Sequence, residues 1–179
     1  KKLAKIEQYK IVSFKNDTTF VDTTLSIKKD YKFNYLREDN FNLIQFSNVG
    51  QTYNTLSEDF SNTETSPLFG ARARHFNYME VSDINYYQVP TPLTELFYKT
   101  AFSQGQLLDA FFTVNTSKQF NLSLAYKGLR SLGKYQHILT STGNFRFTSN
   151  YVTKNNKYSA RAHIVMQDLL NQENGGLTD

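Results

Sequence analysis

The sequence predicts an all-β fold in which long antiparallel strands dominate. Apolar and polar residues alternate through most of the chain after Thr94, which is the period-two pattern of strands whose faces lie in different environments. The alternating segments run for about ten to twelve residues, whereas strands of soluble sheets average about 5–6 residues. Short turn-prone segments at 116–119 and 154–157 separate some of them, as hairpins require.

Residues 1–66 are predicted to form an N-terminal region of short strands and polar loop. Two short strands are expected on either side of the turn-prone residues 15–18, one containing Ile11 and the other Phe20. A third is expected at 31–35. From 37 to 66 the chain is rich in Asn, Ser, Thr, Asp and Glu, so we expect mostly loop there.

Residues 67–179 are predicted to hold the antiparallel strands of a transmembrane β-barrel segment, which is part of a larger barrel. Short strands are expected at 70–76 and 84–89, before Pro90 and Pro92 interrupt the ladder, because proline donates no backbone hydrogen bond. The long strands follow, and the last of them is expected to continue beyond Met166 as a strand instead of a helix.

The lengths of the connections between the long strands bear on the predicted topology. Asn155 and Asn156 suit the positive φ of a hairpin turn, and 128–141 is expected to be a long connection. Short turns on one side and longer loops on the other are typical of outer-membrane barrels. The short link at Gly105 departs from that rule.

Alternation assigns the side chains of the long strands to two faces. One set is apolar and predicted to face lipid: Leu108, Phe112, Leu122, Leu124, Phe145, Phe147 and Ile164. The other is polar and predicted to face a lumen: Asp109, Lys127, Arg146, Arg161 and His163. The basic residues of the second set are compatible with an ordinary solvated sheet face or with a charged lumen that biases which solutes pass.

Alternation alone does not distinguish a membrane barrel from a soluble sandwich, because both have strands with one apolar face. The segment length matches the roughly 9–11 residues of a tilted membrane-crossing strand. Phe120, Tyr126, Tyr151 and Tyr158 fall near strand ends, as the rings of an interfacial girdle do. The same rings are also suited to a soluble core, so both alternatives stay open at this point.

Composition and charge argue against several function classes. The net charge is +4, with 20 basic and 16 acidic residues, and the basic residues are spread along the chain instead of forming a run, so no nucleic-acid partner is expected. The longest apolar runs have three residues, far fewer than the roughly 20 of a membrane-spanning helix.

No motif in the sequence predicts catalysis. There is no Cys, and His75, His137 and His163 lack the spacing of a metal site. No paired-carboxylate spacing, nucleophile elbow or phosphate-binding loop is present. We therefore expect no enzyme activity, no metal and no cofactor.

Several long strings resemble the putative porin family of Bacteroidota outer membranes. They are DYKFNYLR at 30–37, NVGQTYNTL at 48–56, YQVPTPLTELFYKTAF at 87–102, QGQLLDAFF at 104–112 and LAYKGLRSLGKY at 124–135. Members of that family are several times longer and begin with a signal peptide. Because this chain opens with Lys1 and about five strands are too few to close a barrel, we expect it to be part of a longer protein.

The resemblance implies a porin-like barrel in the cell outer membrane that allows passive passage of small solutes, without catalytic residues. Its expected partners are outer-membrane lipid, the solutes, and other envelope proteins or further copies of the chain. Two alternatives stay open: a soluble secreted β-sandwich that acts as a binding module, and a non-conducting barrel partner in an envelope assembly.

Overall fold

The computed structural model describes residues 4–21, 43–45, 48–51, 53–56, 78–101 and 104–172 of the 179-residue chain. Within these ranges the secondary structure consists of ten β-strands and two 3-10 turns, Ile6–Gln8 and Val81–Asp83. This part of the chain contains no helix of sufficient length and hydrophobicity to span a bilayer. The prediction of an all-β, antiparallel fold is confirmed.

Five strands of three residues each precede the long strands: β1 (Lys10–Val12), β2 (Thr18–Phe20), β3 (Leu43–Gln45), β4 (Tyr53–Thr55) and β5 (Tyr86–Gln88). β1 is the central strand of an antiparallel sheet with the order β2-β1-β5. The turn between β1 and β2 has Asn16 at φ 70°, within the segment that the sequence predicts as a turn. The strand β5 therefore joins a sheet whose other strands lie more than sixty residues earlier.

Within 37–66, β3 and β4 pair in an antiparallel register. The expectation of loop is wrong for these six residues, because a strand of three residues leaves no alternation to detect in the sequence. The strands predicted at 31–35 and 70–76 lie outside the described residues.

The main sheet is a five-stranded antiparallel meander in the order β10-β9-β8-β7-β6. Its strands are 9 to 13 residues long: β6 (Leu93–Ala101), β7 (Gly105–Asn115), β8 (Phe120–Ser131), β9 (Thr140–Val152) and β10 (Ser159–Asn171). The last segment is a strand, as predicted. β6 and β10 do not pair with each other, so the strands of the described ranges form an open sheet and not a closed barrel.

The connections follow the prediction in part. The turns at 116–119 and 153–158 lie at one end of the sheet, and Asn156 has φ 55° in the second of them. At the other end, Ala101 of β6 is paired with Gly105 of β7, and the loop at 132–139 joins β8 to β9. That loop is shorter than the predicted connection, because β8 continues to Ser131 and β9 begins at Thr140.

The strand register gives the sheet two faces with opposite character. Leu96, Ala110, Tyr126, Phe145 and Met166 form one row across the five strands. They belong to what we call the exposed face. On the other side a row runs through Leu93, Thr113, Ser123, Thr148 and His163. We call this the covered face, because N-terminal segments of the chain pack against it.

Burial is the reverse of that in a soluble sheet. Among the described residues, nine of the eleven buried polar residues belong to the covered face, including Thr113 and Asn121 at 0% and 2% exposure. Ten of the eighteen exposed large hydrophobic residues belong to the exposed face. The large exposed apolar side chains thus concentrate on one face, while the other face buries nine polar residues together with Leu107, Ala125 and Leu129.

Candidate functional site

The exposed face carries an apolar belt across all five strands. All seven residues predicted to face lipid lie on it, with Ile164 59% and Leu124 44% exposed. On β8 the belt extends from Phe120 to Gly128, nine residues, which is about 27 Å at 3.4 Å per residue. Contact of this belt with lipid stays a prediction.

Aromatic rings lie toward the edges of the belt. Phe120 and Tyr151 pair across β8 and β9 at the end that carries the tight turns, and the exposed Tyr158 immediately precedes β10. Tyr98 is exposed near the opposite end. Beyond it the row Thr100, Gln106, Arg130, Ser141 and Leu170 is largely polar.

The five residues predicted to face a lumen all lie on the covered face. Lys127 and Asp109 are opposite each other on β8 and β7, with Lys127 Nζ 3.5 Å from Asp109 Oδ2. Arg146 lies on β9, and Arg161 and His163 lie on β10. The structure therefore places these residues on one surface, although it pairs the charges of Lys127 and Asp109.

Sequence reasoning did not anticipate that this surface is covered. Residues 48–51 and 78–92 pack against it, and 4–21 are attached mainly through the pairing of β1 with β5. We call these three segments the cover. Near one end of β10, the Tyr86 hydroxyl is 2.9 Å from His163 Nδ1. The Arg161 guanidinium carbon is 5.4 Å from the Tyr86 ring centroid, and Arg161 Nη1 donates to the Ser13 carbonyl at 3.4 Å.

A second contact with β10 uses the side-chain amide of Gln167. The Met79 amide N–H donates to Gln167 Oε1 at 2.8 Å, and Gln167 Nε2 donates to the Met79 carbonyl at 2.9 Å. Asn144 Nδ2 also donates to Gln167 Oε1, at 3.1 Å. Gln167 therefore satisfies both backbone groups of Met79, as a neighbouring strand would.

The middle of the cover meets β7 and β9. The rings of Tyr87 and Phe111 have centroids 4.5 Å apart. Asn150 Nδ2 donates to the Tyr87 carbonyl at 3.3 Å, and the Val89 amide donates to Asn115 Oδ1 at 3.1 Å. Burial raises the pKa of Tyr87 above its ordinary value of 10.0, and the nearby Arg146 guanidinium opposes that shift.

Asn48 fixes the far end of the cover. Its Nδ2 donates to the Ile138 carbonyl at 2.7 Å and the Ser131 carbonyl at 3.0 Å, and its Oδ1 accepts from Ser131 Oγ at 2.6 Å. Thr140 Oγ1 donates to the Val49 carbonyl at 2.6 Å. This buried network ties 48–51 to β8, β9 and the loop between them.

Several buried polar atoms of β9 and β10 have no hydrogen-bond partner among the described residues: Asn144 Oδ1, Arg146 Nε, Thr148 Oγ1, Asn150 Oδ1 and Arg161 Nε. A cavity of about 10 Å³ lies beside Arg146, Thr148 and Tyr87. That volume is close to the minimum that holds one water molecule. The covered face therefore has hydrogen-bond donors and acceptors that no described residue of the cover satisfies.

No group of three or more His, Cys, Asp or Glu side chains in the described ranges is arranged to hold a metal ion. His137 belongs to the 132–139 loop, with φ 56°, and His163 contacts Tyr86. His75 lies outside the described residues.

Comparison with known proteins adds one finding. A family model described as "Putative porin" matches residues 5–179. No curated protein matches the chain, and no solved structure matches it. Since the family model covers almost all of the 179 residues, the chain belongs to the putative porin family.

Proposed function

We propose that this chain forms part of the wall of an outer-membrane β-barrel that allows passive passage of small solutes. The observation that carries the proposal is the reversed burial of the main sheet, with large apolar side chains exposed and polar side chains buried. Membership of the putative porin family supports it. The Bacteroidota outer membrane is the proposed location.

Reversed burial is unfavourable in water and favourable in lipid. Full burial of a Leu, Ile or Met side chain contributes about 1.5–3 kcal/mol. Leu124, Ile164 and Met166 are 44%, 59% and 66% exposed, so in water each lacks roughly half of that stabilisation. A barrel wall surrounded by lipid removes that cost, because the apolar face contacts acyl chains. At the strand tilt of about 35–45° in outer-membrane barrels, the belt along β8 spans about 19–22 Å of the membrane normal, close to their apolar band of about 25 Å.

The soluble sandwich explains the same observations less well. The β2-β1-β5 sheet and its neighbours do cover one face of the main sheet, as in a sandwich. In a soluble sandwich, however, the buried faces are the apolar ones. Here the buried interface contains Leu107 and Leu129 but also nine polar residues, among them Asn121, Asn144 and Asn150, so burying it supplies less of the apolar stabilisation that a soluble fold needs.

The two edge strands support a larger wall. β6 and β10 each pair on one side only within the described residues. In lipid, unpaired backbone groups of an edge strand cost several kcal/mol each. We therefore propose that further strands continue the wall beyond β6 and β10, from the remainder of a longer chain or from other copies.

The covered face supplies the proposed lumen lining. Lys127 is paired with Asp109, so Arg146 and Arg161 provide the surplus positive charge among the residues assigned to the lumen. Such a lining lowers the entry free energy of anions. No catalytic step is proposed for it.

A second candidate is a non-conducting barrel partner in an envelope assembly. The specific observation that favours it is the cover itself, because it removes the polar face from solvent. Conductance separates the two candidates, since a permanently covered wall passes no solute.

The experiment is membrane fractionation followed by reconstitution of the full-length protein. We expect the protein to remain with the outer membrane after carbonate extraction and to migrate faster unheated than boiled on a mild detergent gel. In planar bilayers we expect discrete current steps. Recovery as a detergent-free soluble monomer would contradict the proposal, and a heat-modifiable barrel without current would favour the assembly partner.

A further inference from the structure

We propose that the cover is a displaceable plug: it closes the solute path along this part of the wall and must leave the covered face before solutes pass. The proposal rests on the proposed function, because the covered face borders a lumen only if the main sheet is part of a barrel. It adds a closed state and an open state to that barrel.

The closed state follows from burial in the middle of the covered face. Thr113 and Ser123 in the middle of the covered face are 0% and 3% exposed. Asn150, one strand further, is bonded to the Tyr87 carbonyl of the cover. The remaining space beside Arg146 and Thr148 is a cavity of about 10 Å³, enough for about one water molecule and not for a hydrated solute.

The chemistry of the interface makes the cover removable. Besides apolar contacts such as that of Val49 with Leu107 and Leu129, the cover is held to the wall by hydrogen bonds between side chains and backbone groups, as with Gln167 and Met79 or Asn150 and Tyr87. Such bonds contribute only about 0.5–1.5 kcal/mol each in net terms, because water replaces them on separation. A polar wall that is already short of partners at Thr148 and Asn150 gains hydration when the cover leaves.

The strongest candidate for a latch is Gln167. Its amide makes two short bonds with the Met79 backbone, and a leucine at 167 would leave both groups of Met79 without a partner in the docked state. Undocking releases these groups to water, and it also hydrates Asn144 Nδ2, the other partner of Gln167, so the substitution penalises the closed state more than the open state. Gln106, on the exposed side of β7, offers the same substitution without contact to the cover.

The first test compares single-channel records of the full-length wild type, Gln167→Leu and Gln106→Leu. We expect the fraction of time open to rise by about tenfold or more in Gln167→Leu, because two buried polar groups of the closed state lose their partners. In Gln106→Leu the fraction should stay at the wild-type value. Protease cleavage within 78–92 should increase in parallel.

The second test replaces the latch with a covalent link. Because the 179 residues contain no cysteine, a Met79→Cys/Gln167→Cys pair can be joined by a short, reducible bis-thiosulfonate reagent. Without the reagent this variant should open like Gln167→Leu; cross-linked it should stay closed, and reductant should restore opening. Each single cysteine, treated identically, controls for modification without linkage.

The results distinguish the plug from the barrel. If the wild type, Gln167→Leu and the cross-linked pair conduct equally while remaining heat-modifiable, the plug is refuted and the porin function stands. If the wild type and variants are heat-modifiable yet Gln167→Leu never conducts, the cover is a fixed part of the wall. If every form is soluble and none inserts, both proposals are refuted.

Discussion

The ring of Tyr126 lies across Gly128 on the exposed face of β8. A Cβ at Gly128 would be 2.8 Å from Tyr126 Cε1, closer than real Cβ contacts allow. Gly128 pairs with Gly143 of β9, where a Cβ would be 3.6 Å from the Tyr126 hydroxyl oxygen. The ring thus covers a gap that two paired glycines leave in the apolar belt, an arrangement known to stabilise strand glycines.

We predict that Gly128→Ala and Gly143→Ala have different effects, although both add one methyl group to the same pair. Gly128→Ala should push the ring away and destabilise the folded protein by about 1 kcal/mol, the lower end for overpacking because the ring is 43% exposed and can move. Gly143→Ala should be neutral or slightly stabilising, because the added methyl carbon would lie 3.6 Å from the Tyr126 hydroxyl oxygen, an ordinary contact distance.

Equilibrium unfolding in urea, followed by the heat-modifiable gel shift, measures both variants. In a Tyr126→Ala background the difference between them should disappear, because the coupling runs through the ring. Equal destabilisation by the two alanines in the presence of Tyr126 would contradict the arrangement.

The two faces of the main sheet were predictable because a strand repeats every two residues, so local sequence determines which side chains share a face. The seven apolar and the five polar residues assigned from alternation lie on different faces of the sheet, for example Leu124 and Lys127 of β8. Their contact with lipid or a lumen stays a prediction. Strand pairing between sequence neighbours followed from the short turns.

The packing of the cover was not predictable from the same evidence. Short strands were expected around Ile11 and Phe20 and at 84–89, but three residues are too few to show which face is buried. Several contacts are single side chains bonded to backbone groups, such as Gln167 to Met79. Every residue has a backbone carbonyl, so the sequence does not show which carbonyl a side chain will bind. Alternation therefore predicts a polar face but does not predict which segment packs against it.

Arginine substitutions test the two faces. Leu124→Arg, Phe147→Arg or Ile164→Arg should destabilise the barrel by about 2–4 kcal/mol if those positions lie near the bilayer midplane. Ser159→Arg, at an exposed position at the start of β10, should be tolerated. Urea unfolding in lipid vesicles measures the differences.

Alternation alone would treat Ser123 and Thr148 as wetted lumen positions where arginine is harmless. The cover buries both, so Ser123→Arg and Thr148→Arg should instead displace the cover, with increased protease cleavage at 78–92. Tolerance at Leu124 and Ile164 equal to that at Ser159 would contradict the assignment of the exposed face to lipid.

Alkaline pH should release the cover. Burial raises the pKa of Tyr87 above 10.0, so the docked cover retains a proton that a solvent-exposed tyrosine loses near pH 10. The undocked state then binds fewer protons, and docking, fully favoured below pH 10, weakens as the pH rises through the pKa of docked Tyr87. Protease cleavage within 78–92 between pH 8 and 11 measures this release.

Tyr87→Phe should move the release to higher pH, because phenylalanine has no proton to lose. It should not abolish the release, since burial also raises the pKa of Tyr86. Tyr98→Phe is the matched control, because Tyr98 is exposed on the opposite face. Superimposable pH profiles for the wild type and Tyr87→Phe would exclude Tyr87 as the titrating group.

Ion selectivity should follow the unpaired arginines of the covered face. Arg146 and Arg161 have no carboxylate partner among the described residues, whereas Lys127 and Asp109 neutralise each other. Under a salt gradient, the sign of the reversal potential of the open barrel should show that chloride permeates more readily than the cation. The preference should weaken as salt is raised, because the Debye length falls from about 10 Å at 0.1 M to about 3 Å at 1 M.

Arg146→Gln is the cleanest test of this selectivity, because Arg161 also bonds to Ser13 of the cover and its loss would change gating as well. We expect Arg146→Gln to move the reversal potential toward zero without changing the fraction of time open. The double variant Asp109→Asn/Lys127→Gln removes one charge of each sign, so it should leave the reversal potential where the wild type has it. Cation preference in the wild type, or an equal shift in both variants, would show that other residues set the selectivity.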